Sequence, residues 1–248
     1  MDLGLRDKVC VVTGSTGGIG LAVARQLQDE GALVVTTGRR PDGSGDLHVG
    51  ADLSQAGEPK RVIAEATERF DRVDCLVNNV GGTNVRKLQE LTDADWQASF
   101  DLNLMSAIRA TRAALPGMVE RGDGSIVNVS SSSGKRPSLT FPDYSVMKAG
   151  LLSFSRLVAD AYGGAGIRCN AVTPGPTATE AWIGDGGLAD QQGDRDEILA
   201  KVAAGRPLGR LAEPEEIAAV IVFLCSARAA YVTGAAWSAD GGTVQIII

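Results

Sequence analysis

Histidine is nearly missing from this 248-residue chain: His48 stands alone. That removes a histidine-based catalytic triad and a histidine-rich metal site from consideration. Cysteine is sparse as well. Cys10, Cys75, Cys169 and Cys225 sit in apolar or strand-like segments without paired spacing, and read as buried thiols of a reducing compartment rather than disulfide partners or metal ligands. Basic charge is short: 24 Lys and Arg against 30 Asp and Glu leave a net charge of −6, with a pI near 4.9. Nucleic acid asks for a basic face and is not the expected partner. No apolar run is long enough to cross a bilayer. Asp2, Arg6, Asp7 and Lys8 lead straight into the first apolar run, unlike a secretory leader. The expectation is a soluble, cytoplasmic protein with no metal, membrane or nucleic-acid partner.

What is present is the pattern of one α/β domain over residues 1–248. The apolar fraction of 44% is that of a globular protein, and no repeat, low-complexity tract or linker divides the chain. Strand-like runs at 8–13, 32–37, 47–50, 74–78, 124–130, 167–172 and 233–238 alternate with amphipathic stretches at 56–70, 96–115, 144–162 and 214–225. Pro214 opens the last of these at a favourable first helical position. Alternation of this kind implies βαβ units and a Rossmann-like, doubly wound parallel sheet of about seven strands with helices on both faces.

Two motifs carry chemistry. The first apolar run is followed at once by Gly14-Ser15-Thr16-Gly17-Gly18-Ile19-Gly20, after which Ile19, Ala22, Val23 and Leu27 recur at helical spacing. Strand, glycine-rich turn and helix in that order suit a dinucleotide: backbone approaches the pyrophosphate, and the helix N-terminus presents unpaired N–H groups to it. Further on, Tyr144 and Lys148 lie four residues apart, and Ser131 lies thirteen residues before the tyrosine. Positions i and i+4 share a helix face. A phenol near pKa ~10 needs help to work at neutral pH, and a neighbouring ammonium is expected to lower it. Ser131 can hold a substrate oxygen by a hydrogen bond.

The Gly14–Gly18–Gly20 spacing together with Tyr144 and Lys148 resembles the short-chain dehydrogenase/reductase family, and the resemblance runs along nearly the whole chain. Asn78-Asn79-Val80-Gly81 resembles its N-N-A-G element, with Val80 in place of alanine. Asn103, 28 residues before Ser131, stands where the family places a catalytic asparagine. Residues 126–131 look like its fifth strand running into the catalytic serine. Asn170-Ala171-Val172-Thr173-Pro174-Gly175, with Thr177 and Thr179 beyond, resembles the loop that packs on the nicotinamide. Asp240-Gly241-Gly242 resembles the closing motif. The resemblance implies Asn103, Ser131, Tyr144 and Lys148 as catalytic residues. It implies a cofactor site from Gly14, Ser15, Thr16, Gly18, Ile19 and Gly20, with Asp52 and Leu53 at the adenine. Asn79, Val80, Gly81, Tyr144, Lys148 and the 174–179 loop complete that site.

Cofactor choice turns on the end of the second strand. An acidic residue there would bond the ribose hydroxyls of NAD(H). The chain reads Thr37-Gly38-Arg39-Arg40 instead, and the two arginines favour the 2′-phosphate of NADP(H). The expected reaction interconverts a ketone and a secondary alcohol of a small molecule. Reduction of a 3-oxoacyl group on a carrier protein is the alternative, and a non-catalytic NADP(H)-binding regulator the remote one. Against the carrier stand the uncharged stretch 162–166 and an acidic segment with Glu180, Asp185, Asp190, Asp194, Asp196 and Glu197 against Arg195. Residues 180–207, the least regular part of the chain, suit a substrate lid. Lys135, Arg136, Phe141, Trp182 and Trp96 are candidates to border the substrate, Trp96 more as a packing residue. Excess apolar residues on 96–115 and 144–162, with Ile246-Ile247-Ile248, point to a homo-oligomer, a dimer or a tetramer.

Overall fold

The computed structural model describes residues 2–40 and 43–245; the Ile246–Ile248 tail expected at an interface lies outside them. Seven strands form one parallel sheet: β1 Val9–Thr13, β2 Leu33–Gly38, β3 Leu47–Gly50, β4 Cys75–Asn78, β5 Gly124–Val129, β6 Ile167–Pro174 and β7 Ala236–Ala239, in the order β3-β2-β1-β4-β5-β6-β7. The central strands are apolar at consecutive positions because both faces are covered. Along β1 the pleat sends Cys10 and Val12 into one core and Val9 and Val11 into the other. The first core is closed by α1 (Gly18–Asp29) and α9 (Pro214–Cys225). The second is closed by α2 (Glu58–Phe70), α4 (Ser106–Arg121) and α6 (Pro142–Tyr162).

Strand order reverses between β1 and β4, so the connections after these two strands diverge and leave a crevice beyond their carboxyl ends. Ligands of doubly wound sheets bind at such a switch point. The glycine loop after β1 and the Asn79–Gly81 turn after β4 both open onto it.

Three expectations need correction. The stretch 96–115 is not one helix: α3 (Asp93–Phe100) gives way to a π turn at Asp101–Met105 before α4 begins. Residues 180–207 are not irregular. They fold as α7 (Glu180–Ile183), a 3₁₀ turn at Asp190–Gln192 and α8 (Arg195–Ala204), with Arg195 bridging Asp185 at 2.9 Å and Asp190 at 2.6 Å. The apolar residues assigned to an interface divide as well. Leu115, Leu151 and Val158 belong to the core, while Val146 and Leu157 remain exposed. Between Ser131 and α6 lies the one-turn helix α5 (Ser132–Lys135). Among the described residues no helix is long and apolar enough to cross a membrane, and no group of His, Cys, Asp or Glu could hold a metal.

Candidate active site

A cleft of about 800 Å³ occupies the switch point, lined by Gly14, Thr16 and Gly38, by Arg39, Asp52 and Leu53, and by Asn79, Val80 and Gly81. Its floor is backbone. Gly14 has φ +64°, and a Cβ there would meet Val80 Cγ2 at 3.0 Å; a Cβ on Gly20 would overlap the Gly14 carbonyl oxygen. No side chain caps α1 at Gly17, so its first N–H groups are left for an anion. Thr13 and Asn79 lock the two turns together. Thr13 Oγ1 donates to the Val77 carbonyl and accepts from the Asn79 and Val80 amides, while Asn79 Nδ2 donates to the Thr13 and Gly14 carbonyls, each at 3.0 Å. The residues present therefore fit a dinucleotide: a side-chain-free cradle, an uncapped helix end and an extended cleft.

Other sequence-assigned residues have different places. Ser15 is fully buried; its hydroxyl donates to the Val12 carbonyl at 2.7 Å and accepts from the Thr37 amide at 3.0 Å. It shapes the loop from within. Thr179 packs on Gly18, with Cγ2 3.1 Å from where a Cβ would stand, and Thr177 Oγ1 donates to the Gly175 carbonyl. Asp52 accepts from the hydroxyl and amide of Ser54 and feels the Arg39 charge, and its carboxyl is held below the usual range by these. Arg109 also lines the cleft, ion-paired to Asp101 at 2.7 Å. Sequence reasoning missed it, although positions eight apart share a helix face.

Beyond the cleft the candidate catalytic residues converge from three elements. Ser131 caps α5, its Oγ accepting from the Ser133 amide at 3.1 Å, and its hydroxyl is near enough to the Tyr144 phenol to lower its pKa. Ser130 Oγ donates to the Lys148 carbonyl at 2.8 Å, and a Cβ on Gly134 would stand 2.9 Å from the same backbone. The serine segment is thus clamped onto α6. The Lys148 ammonium lies 5.5 Å from the centroid of the Tyr144 ring and donates to the Val129 carbonyl at 2.8 Å. Asn103 sits inside the π turn, with Oδ1 accepting from the Gly82 amide at 2.9 Å and Nδ2 donating to the Gly82 carbonyl at 3.1 Å. Gly81 lies between the two: a Cβ there would be 2.9 Å from Lys148 Nζ and 3.0 Å from Asn103 Oδ1.

Electrostatics revises one expectation. Lys148 was expected to lower the Tyr144 pKa. In the chain itself burial pushes the phenol up to about 12, and only the Ser131 hydrogen bond pulls it down. Burial draws Lys148 down to about 8. The ammonium is turned to Val129 rather than to the phenol oxygen, and loss of water dominates both groups. At neutral pH this leaves a protonated phenol beside a charged amine, which is the state that donates a proton to a carbonyl oxygen. A bound nicotinamide supplies or accepts the hydride. The arrangement would let Ser131 orient such an oxygen and Tyr144 give up or take back its proton.

Of the residues expected to border the substrate, Phe141 and Trp182 meet edge to face at 6.4 Å, joining the start of α6 to α7. The Lys135 amine is committed to β7, donating to the Ala236 carbonyl at 2.7 Å and Ser238 Oγ at 2.9 Å. Arg136 is exposed, and Trp96 is half-buried on α3.

Comparison with known proteins agrees with this geometry. Residues 14–244 match a family model described as enoyl-(acyl carrier protein) reductase. An uncharacterised oxidoreductase of Bacillus subtilis, YvrD, is 37% identical, with 99% of each chain covered. The 3-oxoacyl-(acyl-carrier-protein) reductase FabG of Vibrio cholerae is 34% identical over 98% of this chain and 100% of its own. L-sorbose reductase from Gluconobacter frateurii, solved with NADPH and L-sorbose, is 36% identical, covers 100% of both chains and superposes with a TM-score of 0.93. The chain belongs to the short-chain dehydrogenase/reductase family. Its activity is that class's: oxidation and reduction at CH–OH and carbonyl groups with NAD(P).

Proposed function

We propose that the enzyme uses NADP(H) and reduces a small, polar ketone, with Tyr144 as the proton donor. The observation that carries the cofactor choice is the contact at Gly38. A Cβ at this position would stand 2.7 Å from Thr16 Cγ2 and 2.9 Å from Thr16 Oγ1, so an acid at the strand end where an NAD(H) enzyme carries one would have to displace the Thr16 side chain. Arg39 lines the cleft a residue later. The sorbose reductase that superposes over the full chain was solved with NADPH and a ketose, which supports both halves of the reading.

Asn103, Ser131, Tyr144 and Lys148 form the catalytic group, and Phe141 and Trp182 border the substrate. Residues 180–207 serve as its lid, tied to the opposite rim where Gln191 Oε1 accepts from the Val85 amide at 2.9 Å. The exposed Val146 and Leu157 on α6, with Val119 on α4, supply an interface for a homo-oligomer. A cytoplasmic location fits four free, buried thiols. The second reading, a 3-oxoacyl thioester substrate, is favoured by the FabG relative. It is disfavoured by the acidic lid, of whose carboxylates Arg195 neutralises only Asp185 and Asp190. NADPH consumption measured with simple ketones and ketoses beside a short 3-oxoacyl thioester decides between them. Faster turnover of the thioester, raised further by its carrier-protein form, would overturn the ketone assignment. NADPH binding with turnover of neither would favour a regulator.

A further inference from the structure

Parallel strands are ordinarily joined by a crossover of a dozen or more residues containing a helix. Between β2 and β3 the chain crosses in residues 39–46, with no helix among those described. Such a short strap must be held by something other than helix packing. Its returning half is fastened to β2: the Asp46 amide donates to the Val34 carbonyl at 2.9 Å, and Asp46 Oδ2 accepts from the Val34 amide at 2.8 Å. Its outgoing half, which carries Arg39 and Arg40, is fastened by His48. This side chain stands on β3 beside Thr36 in the sheet register. Its Nδ1 is 2.9 Å from Thr36 Oγ1 and its Nε2 is 2.9 Å from the Arg40 carbonyl oxygen. A carbonyl only accepts, so Nε2 carries the hydrogen of that bond. Gly43 lies on the same ring, where any Cβ would overlap the imidazole. The sole histidine of the chain is thus the post on which the arginine-bearing turn is hung.

We propose that His48 is a positioning residue for cofactor selection: by bonding the Arg40 carbonyl it pre-orders the Arg39–Arg40 turn for the 2′-phosphate of NADP(H). This rests on the NADP(H) reading above. A turn already ordered in the free protein does not lose that freedom on binding. Without the bond, the ordering falls on the one cofactor whose extra phosphate needs the arginines. His48 does not itself touch the cofactor in this account, and NADH, which lacks the phosphate, gains nothing from it.

The test is direct titration of NADPH and NADH by their fluorescence, with no turnover required, on the wild type, His48→Ala and His48→Gln, each with its melting temperature. His48→Ala should raise the Kd for NADPH about tenfold, equivalent to about 1.4 kcal/mol, and leave that for NADH within about twofold. His48→Gln, whose amide can donate to the same carbonyl, should restore most of the loss. Equal weakening of both cofactors, or no weakening of either, would show His48 to be packing alone and overturn the proposal. A wild type that prefers NADH would instead refute the cofactor reading, before any variant is compared. If His48→Ala does not fold, Gly43→Ala displaces the ring and must produce the same selective loss for the proposal to stand.

Discussion

Replacing Lys148 by methionine should abolish turnover and make the protein more stable. The side chain is 2% exposed, and burial lowers its pKa from 10.5 to about 8. The unfolded chain keeps the higher value, so between about pH 8 and 10.5 it binds more protons than the folded protein, and stability rises with pH through that window. Below the window both states are protonated and the folded state carries the whole penalty of the buried charge. At about 1.4 kcal/mol per pH unit the penalty is on the order of 3 kcal/mol. Methionine removes the charge but also leaves the Val129 carbonyl without its donor, which returns about 1–2 kcal/mol of the gain. A net stabilisation of about 1–2 kcal/mol should raise the melting temperature by roughly 2–8 °C for a chain of this size. Thermal melts of both proteins at matched scan rate, from neutral pH to beyond the free lysine value, measure it. The gap between variant and wild type should be widest at neutral pH and close as the pH rises through the window. A variant that melts below the wild type at neutral pH, or a gap that ignores pH, would refute the reasoning.

Tyr144→Phe removes only the phenol hydroxyl and should cut turnover by about 10²–10⁴-fold while NADPH affinity, read by fluorescence, stays near wild type; retained turnover would sink the assignment of the proton donor. Gly38→Asp should weaken both cofactors, because the new side chain meets Thr16 before it can reach a ribose; combined with Thr16→Gly it should bind NADH more tightly than NADPH, and the two Kd values check it. Gly134→Ala pushes a Cβ into the Lys148 backbone and should cost about 1–3 kcal/mol in urea unfolding, with a fall in kcat larger than any change in KM.

The strands could be read from sequence because a sheet covered on both faces carries short runs of apolar and β-branched residues: Val9–Thr13 and Leu33–Gly38 lie within a residue of their expected bounds. Helix α9 runs over Pro214–Cys225 as its opening proline foretold. The candidate catalytic residues were picked by spacing and resemblance, and the fold brings Tyr144 and Lys148 within reach of each other. What stayed hidden depends on contacts between distant segments. The π turn at Asp101–Met105 has no composition of its own. Residues 180–207 looked irregular because their glycines were counted, whereas Arg195 joins Asp185 and Asp190 across the folded segment. Lys135 looked like a substrate contact until β7, a hundred residues later, supplied its acceptors. The Tyr144 pKa went the other way from expectation because helical spacing brings an amine near a phenol but says nothing of how much water remains around either.

The same contacts explain why so much of this site is glycine rather than chemistry. Gly20 meets the Gly14 carbonyl, Gly81 lies between Lys148 Nζ and Asn103 Oδ1, and Gly134 lies on the Lys148 backbone. Each marks a place where two stretches of backbone or side chain approach more closely than a Cβ allows, and each approach fixes one group: the phosphate cradle, the ammonium, the serine. The buried ammonium opposes folding, so the precision of the site must come from elements that are stable without it. The backbone clamps do this, tying the catalytic groups to β1, β4, β5 and α6, whose cores are fully packed. Substituting a catalytic side chain should therefore leave the fold intact or firmer, whereas adding one methyl at a clamp should disturb geometry and stability together.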